Sequence, residues 1–477
     1  MPDLLEKIFA AGVVGAGGAG FPTHVKLASR ADTLIVNAAE CEPLLASDRY
    51  VTRSFAPQIT EALLALRAEF GFKRVVIGTK RHYAREVEAL KSAFADKNAD
   101  FELLLTDSFY PAGDEQILIY EATGKTVPPG GIPISVGVVV QNVTTILNIY
   151  DAMRGAPVTE KFVTVTGAVA CPSIVRAPVG TTVADLIAAA GGTIAIGASM
   201  GETAAANRTA TSGGTDPSGD ASASGGTAAG YVIKGGPMMG KMYPLSQAAA
   251  LTIGKADGGV IVLPEGHPLC LFKEKTVARI LSEARSVCMQ CSICTDMCPR
   301  RLIGHKLRPN IVMRGMANNL NVEKLSEALL CSECGVCELY ACPMQLSPRR
   351  INVHVKGLLR EKGVGLEDKN VYPELTAYRE YRRVPQARII GRLLPQGYPE
   401  QIDALASCEP QTVCIPLKHG VGRPSAPTVA AGDRVKAGDV IAKVEQKDVG
   451  CMIHASIDGV VVGVDENITI SREAIHK

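Results

Sequence analysis

The sequence predicts a multidomain α/β chain, and three observations carry that reading. Strand-like and helix-like segments alternate through roughly the first 150 residues. Two cysteine runs, Cys288-x-x-Cys291-x-x-Cys294-x-x-x-Cys298-Pro299 and Cys331-x-x-Cys334-x-x-Cys337-x-x-x-x-Cys342-Pro343, mark a separate unit in the middle. Short strand–turn repeats between Val429 and Val461 mark a small all-β unit near the end. At ~100–200 residues per domain, 477 residues accommodate three to four domains. An apolar content of 47% supplies packed cores. A net charge of +2, no Trp and 5% aromatics give no electrostatic or stacking case for nucleic acid. No run approaches the ~18 apolar residues needed to span a bilayer. The N-terminal MPDLLEKIFAAG lacks the basic region and cleavage site of a signal peptide. A reducing, cytoplasmic setting is the expectation.

In the first unit, Leu4, Leu5, Ile8 and Phe9 follow helical spacing. The segment Val14–Thr23 then formally contains G-x-G-x-x-G at Gly15, Gly17 and Gly20, with Glu40 about twenty residues on. A dinucleotide fingerprint needs a strand before its first glycine, and here a helix precedes it. Successive amides without Cβ atoms can instead close around a phosphate, with Lys26 adding charge. A tight loop that binds nothing fits the glycines as well. Thr33–Asn37 reads as a buried strand running into Glu40-Cys41-Glu42, so an Asn and two acids stand at a strand's C-terminal end, where α/β sheets hold ligands. A helix over about 55–70, a strand Arg74–Gly78, a helix through Leu90 and a strand Phe101–Leu105 follow. Tyr110-Pro111-Ala112-Gly113-Asp114-Glu115-Gln116 and the strand-like Gly137–Val143 complete the unit.

Between 160 and 240, Lys161–Gly167 alternates as a strand, Cys171–Arg176 is its hairpin partner, and Val183–Gly192 is a short helix with a glycine stop. Glu202–Gly230 is low-complexity sequence without the apolar surface to order itself, and reads as a mobile insertion. Tyr231–Lys234 resumes the unit.

Each cysteine run offers four thiolates at short spacing and ends in Cys-Pro, the ligand pattern of paired [4Fe–4S] clusters of the bacterial ferredoxin kind. There the fourth cysteine of each run crosses to the other cluster. Cys288, Cys291, Cys294 and Cys342 would hold one; Cys331, Cys334, Cys337 and Cys298 the other. The second run has one extra residue before Cys342, which leaves that ligand the one spacing does not settle. Structural zinc uses cysteine pairs and does not ask for a third at the same gap, twice. A disulfide framework would spread its cysteines. Helices around 273–286 and 321–330 flank the runs. Arg300, Arg301, His305, Lys306, Arg349 and Arg350 either offset cluster charge or form a solvated helix face, and the solvated face is the expectation. Cys41, Cys171, Cys270, Cys408, Cys414 and Cys451 read as small buried residues.

GAGGAGFPTHVK, NAAECEP, YPAGDEQ and VVVQNVTT, in this order, resemble the FMN-binding domain of the complex I flavoprotein subunit. They are more similar still to the family of Rnf C subunits and the cobalamin reductases of propanediol-utilisation operons. The resemblance implies FMN, with NADH as electron donor. It places Gly15, Gly17, Gly18, Lys26, Asn37, Glu40, Glu42, Glu115 and Asn142 around the flavin phosphate, the flavin and the nicotinamide; Ala39 stands where the complex I subunit typically has an acid. No separate catalytic side chain is assigned. Residues 160–240 resemble the SLBB-type β-grasp domain, either a ligand-binding unit or a rigid spacer. Val429–Val461 resembles the flattened barrel sandwich of biotinyl and lipoyl domains, without the carrier lysine.

The implied organisation is an FMN/NADH-binding α/β domain (1–155), an SLBB-like β-grasp domain (156–255) with its insertion at 202–230, a helical two-[4Fe–4S] ferredoxin-like domain (256–365) and a barrel sandwich (375–477). The implied activity is NADH-dependent reduction of a corrinoid (cobalamin), feeding a corrinoid adenosyltransferase. It would run inside or on a bacterial microcompartment, with a shell protein as a further partner. An Rnf-type subunit serving a membrane ion pump and a non-catalytic microcompartment relay are the alternatives. The terminal position of the barrel favours the reductase.

Overall fold

The computed structural model describes residues 3–194, 230–366, 374–394, 398–399 and 401–472. The first unit is an open parallel sheet. Its strands are β1 (Thr33–Asn37), β2 (Arg74–Lys80), β3 (Glu102–Thr106) and β5 (Val138–Asn142), in the order β3-β2-β1-β5; the two-residue β4 (Phe109–Tyr110) lies outside it. The strands are apolar on both sides because both faces are covered. Leu34, Val36, Val75, Ile77 and Val139 pack against helices α1 (Asp3–Ala10), α4 (Ala56–Phe70), α5 (Ala84–Asp96) and α7 (Val143–Met153). The intervening Ile35, Val76, Val138 and Val140 pack against α6 (Glu115–Thr123). Two short helices, α2 (Thr23–Leu27) and α3 (Ser47–Ser54), follow the glycine loop and β1. The strand order reverses between β1 and β5. At the C-terminal edge of that crevice Asn37 and Asn142 are register partners.

The second unit is a six-stranded mixed sheet. It is built from β6 (Glu160–Gly167), β7 (Ser173–Pro178), β8 (Gly230–Lys234), β9 (Lys241–Pro244), β10 (Gly259–Pro264) and a later strand, Leu405–Ser407. Helix α8 (Val183–Ala189), capped by Thr182, lays Leu186 and Ile187 on Val163, Val165, Val232 and Val260. The boundary expected at 255 is too early, because β10 pairs with both β6 and β8 in the middle of this sheet. Apart from Gly230, which begins β8, the insertion read at 202–230 lies outside the described residues.

The cysteine-bearing unit is helical. The single helix expected at 273–286 is two, α9 (Pro268–Glu274) and α10 (Val277–Val287), with Thr276 capping the second. Val322–Leu330 is a tight 3₁₀ segment with non-helical backbone at Leu325. Ile280, Val312, Met313, Leu325, Ile351, Val355 and Leu359 form its core.

The barrel does not begin at 375. Val384–Pro385 pairs with β4, Gln386–Leu393 is a helix packed beside Tyr110 and Cys334, and Leu405–Ser407 pairs with β7. Composition cannot reveal that a linker has been recruited by two earlier domains. The barrel's own strands start at Thr412–Pro416 and form a four-stranded and a three-stranded sheet around Val413, Ile441, Ile453, Val461 and Ile470.

Candidate functional site

The glycine loop folds over the sheet's switch point, where doubly wound sheets take their ligands. Ala16 is held from both sides: its N–H donates to Thr145 Oγ1 (2.9 Å) and its carbonyl accepts from Lys161 Nζ (3.2 Å). Beyond it, the amides of Gly17, Gly18, Ala19 and Gly20 have no hydrogen-bond partner among the described residues. Gly18 has φ +117°, and a Cβ added there would meet nothing within 4 Å. The exposed Gly17, Gly18 and Ala19 present N–H groups that suit the phosphate of a bound FMN, whereas Gly20 is buried against Gly420 of the terminal barrel. Lys26 stands at the same edge, donating to Glu115 Oε1 (2.8 Å) and the Val140 carbonyl (2.7 Å). Asn37 Nδ2 donates to the Gly113 carbonyl (2.9 Å). Asn142 caps α7 through Oδ1, accepting from Thr144 N–H at 2.9 Å, while its Nδ2 donates to Asp48 (2.6 Å). A Cβ on Gly17 would touch the Asn142 side chain at 3.3 Å. The loop, Lys26, Asn37, Glu115 and Asn142 are therefore brought together.

The two acids after β1 diverge. Glu40 is buried with φ +31°, and accepts the Asp48 N–H at 2.9 Å. Burial first, and the Asp48 charge second, push its carboxyl up to about 8. Buried Lys80 donates to its carbonyl at 2.9 Å, and burial lowers the Lys80 pKa. The Glu42 carboxylate turns to the second domain, accepting from Met238 N–H (2.9 Å) and Met239 N–H (2.8 Å). Glu42 is a strut between the domains, whatever else it contacts when ligands bind. Cys41 lies beside Gly113, with burial raising its thiol to about 12.

The segment YPAGDEQ faces two ways. Gly113 and Glu115 belong to the crevice, whereas Tyr110 O–H donates to the Cys334 carbonyl at 2.7 Å. Asp114 caps α6 and pairs with Arg300 at 3.0 Å, and Gln116 Oε1 lies 2.9 Å from His305 Nε2. Arg300, His305 and Arg349 are thus mostly buried and partnered, not a solvated face; Lys306 alone of the buried-or-paired question stays exposed. The reason is tertiary: Asp114 and Gln116 of the first domain reach across to Arg300 and His305, while Arg349 pairs with Glu338 of its own unit.

The cysteine runs wind alike. Gln290 and Ser292 in the first, and Glu333 and Gly335 in the second, all take positive φ at matching positions. The first run closes through a Met297 N–H to Ile293 carbonyl bond; the second makes a π turn, Val336–Tyr340, with Ala341 N–H reaching the Val336 carbonyl at 2.8 Å. The wider turn absorbs the extra residue and returns Cys342 to the neighbourhood of Cys288, Cys291 and Cys294. Burial first, and then Cys342, Cys291 and Cys288 in that order, raise the Cys294 thiol to about 12. Cys298 instead lies by Cys331 and Cys334. Backbone N–H groups point at sulfur, Glu333 to Cys331 and Leu346 to Cys342, both at 3.3 Å. Buried Arg300 and Arg349, close to Cys298 and Cys331, keep guanidinium N–H groups without a protein partner. Thiols in two groups of four, amides aimed at sulfur and spare buried cations all fit anionic iron–sulfur clusters. Among the described residues, no three His, Cys, Asp or Glu side chains converge closely enough to hold a single metal ion.

Sequence reading missed Asp48, Thr145, Lys161 and Lys80. Thr145 ends the VVVQNVTT segment but was given no role there, the other three lie in no motif, and the roles of all four come from contacts across 40 or more positions. It also took Cys171 for a buried residue; the turn between β6 and β7 leaves it exposed.

Comparison with known families finds four domains. The Nuo51 FMN-binding domain matches residues 8–151, the SLBB domain 162–203, the 4Fe-4S dicluster domain 287–347, and the RnfC barrel sandwich hybrid domain 399–476. The α/β multidomain class and its FMN and [4Fe–4S] cofactors, as expected from the sequence, are borne out. The cobalamin reductase PduS of Salmonella typhimurium is 38% identical over 98% of this chain and 96% of its own. That of Citrobacter freundii is 37% identical with the same coverage. A solved NAD+-reducing [NiFe]-hydrogenase in the H2-reduced state aligns over 79% of this chain and 70% of its own, at 20% identity and a TM-score of 0.47. No helix among the described residues is long and apolar enough to cross a membrane.

Proposed function

The chain belongs to the cobalamin reductase PduS family, and from that premise we propose that it uses NADH to reduce cob(III)alamin and cob(II)alamin for a corrinoid adenosyltransferase, inside or on a bacterial microcompartment. Gly17, Gly18 and Lys26 would hold the FMN phosphate, with Gly15, whose N–H donates to the Phe21 carbonyl at 2.9 Å, shaping the loop, and with Asn37, Glu40, Glu115 and Asn142 lining the crevice beside it. Glu42 steadies that wall from behind. Cys288, Cys291, Cys294 and Cys342 would hold one cluster, and Cys298, Cys331, Cys334 and Cys337 the other. When bound, the flavin accepts a hydride and releases electrons singly, and the clusters carry single electrons.

The chain's own residues supply position and charge. Thr145 and Lys161 fix the loop so that its free amides remain available. Lys26 places a cation beside them. Burial and the nearby Asp48 push the Glu40 carboxyl toward its neutral form, which lessens the negative charge facing an incoming dinucleotide phosphate. Arg300 and Arg349 offset the charge of a reduced centre.

The observation that carries the reading is the double-faced Tyr110–Gln116 segment: Gly113 and Glu115 touch the crevice, while Tyr110 touches Cys334 and Asp114 pairs with Arg300 just past Cys298. The test is anaerobic purification with flavin and iron analysis, then NADH-dependent reduction of aquocobalamin. One FMN, about eight irons per chain as two [4Fe–4S] centres require, and corrinoid reduction are expected. Flavin-free, zinc-containing protein, or loaded protein inert toward corrinoid, would refute it.

A further inference from the structure

We infer that the two cysteine sets stand in series: Cys298, Cys331, Cys334 and Cys337 form an inner station seated against the flavin domain, and Cys288, Cys291, Cys294 and Cys342 form an outer station from which electrons leave at the Cys288–Cys291 loop. The inference rests on the flavin-to-cluster reading above and adds its direction and its exit.

The inner set is covered by both neighbouring domains. From the flavin domain, Tyr110 bonds the Cys334 carbonyl, and Asp114 pairs with Arg300, two residues past Cys298. Leu44, Leu45 and Tyr110 share one apolar cluster with Cys334, Val336 and Leu339. From the β-grasp domain, the loop clamped by Glu42 brings the Met238 carbonyl to 3.4 Å from where a Gly335 Cβ would stand. Cys298, Cys334 and Cys337 are buried, and Arg300, Arg349 and Lys356 supply cations around them.

The outer set has a different setting. Cys342 and Cys288 join the core of the helical unit, whereas Cys291 is exposed. Met289 is 62% exposed and Val287 39%, so the loop offers apolar surface beside Cys291, which is exposed where Cys288 and Cys331 are half-buried and the other five cysteines of the two runs are buried. Electron transfer weakens steeply with distance, so a buried centre touching the flavin domain receives first and a centre at the surface delivers. The donor is a reduced nicotinamide. It gives up one hydride at the crevice, which carries one proton and two electrons. The two electrons pass inward singly. Each reduces one cob(III) to cob(II) outside the Cys291 loop, so one donor serves two acceptors and the proton goes to solvent.

The test uses the anaerobic holoenzyme reduced by dithionite, followed by electron paramagnetic resonance with and without a soluble dysprosium chelate. One cluster signal should relax several-fold faster with the chelate while the other stays protected. Cys291→Ser should alter the accessible signal and Cys334→Ser the protected one. In rapid mixing with NADH, Cys334→Ser should slow reduction of the accessible centre by at least about tenfold, and Cys291→Ser should slow corrinoid reduction by a similar factor. The wild-type relaxation experiment needs no variant, so a serine variant that loses its cluster does not disable the test. Equal access of the chelate to both signals, or access to the Cys334 signal alone, would overturn the order. Clusters that behave in this order in a protein that reduces no corrinoid would uphold the stations and remove only the acceptor.

Discussion

Replacing Glu42 by alanine should release the loop that presses on the second cysteine run. The carboxylate accepts two backbone N–H groups, from Met238 at 2.9 Å and Met239 at 2.8 Å. A hydrogen bond to a charged group contributes about 1.5–3 kcal/mol. The two are unequal here. Met238 is fully buried, so its amide would be left unpaired, while Met239 is 47% exposed and water can replace the lost acceptor. Burial also raises the Glu42 pKa, so part of the gain is spent holding the ionised form. One full bond, a fraction of the second and the desolvation offset leave a net loss of about 2–3 kcal/mol. Local opening should then accelerate amide exchange by about 30–150-fold, at 1.4 kcal/mol per tenfold. Hydrogen exchange read on peptides covering 235–242 measures this without requiring two-state unfolding of the whole chain. Glu42→Gln, which keeps one acceptor oxygen, should fall between. Exchange within about threefold of wild type in Glu42→Ala would refute the strut.

Four further outcomes follow from the same geometry. Lys26→Met should weaken FMN binding by about 10–100-fold, the equivalent of one charge-assisted contact, in a fluorescence titration of the apoprotein; Lys26→Arg should recover part of it. Gly335→Ala should destabilise the second cysteine loop by about 1–2 kcal/mol, because φ there is +85°, and should hasten iron loss to a chelator. Ser292→Gly, at the matching position of the first run with φ +56°, should be neutral or slightly stabilising in the same assay. The Glu40 carboxyl, raised in the fold to about 8 from 4.5, makes a stability contribution fully present below pH 4.5 and lost as pH rises to 8. Glu40→Gln should flatten that limb of the urea-midpoint profile; an unchanged slope between pH 5 and 8 would show that Glu40 ionises freely.

The sequence by itself determined the parts and their chemistry. Thiolates two residues apart can only surround something small, so eight cysteines in two such runs specify their centres wherever the runs lie. The glycine run, the apolar strands with both parities filled and the terminal strand–turn repeats are likewise local signals. Their spacing depends on neighbours in the chain and was legible without a fold. The relations between parts were decided by the tertiary structure. Whether Glu42 faces the crevice or the β-grasp loop depends on Met238, nearly two hundred residues away. Whether Arg300 is a solvated charge or a buried one depends on Asp114. That Asp48 holds Asn142, that Val384–Pro385 pairs with β4 and Leu405–Ser407 extends the six-stranded sheet, and that Cys334 is buried while Cys291 is exposed are all consequences of domain packing. Periodicity reports which face of an element is covered; it carries no information about which distant segment does the covering.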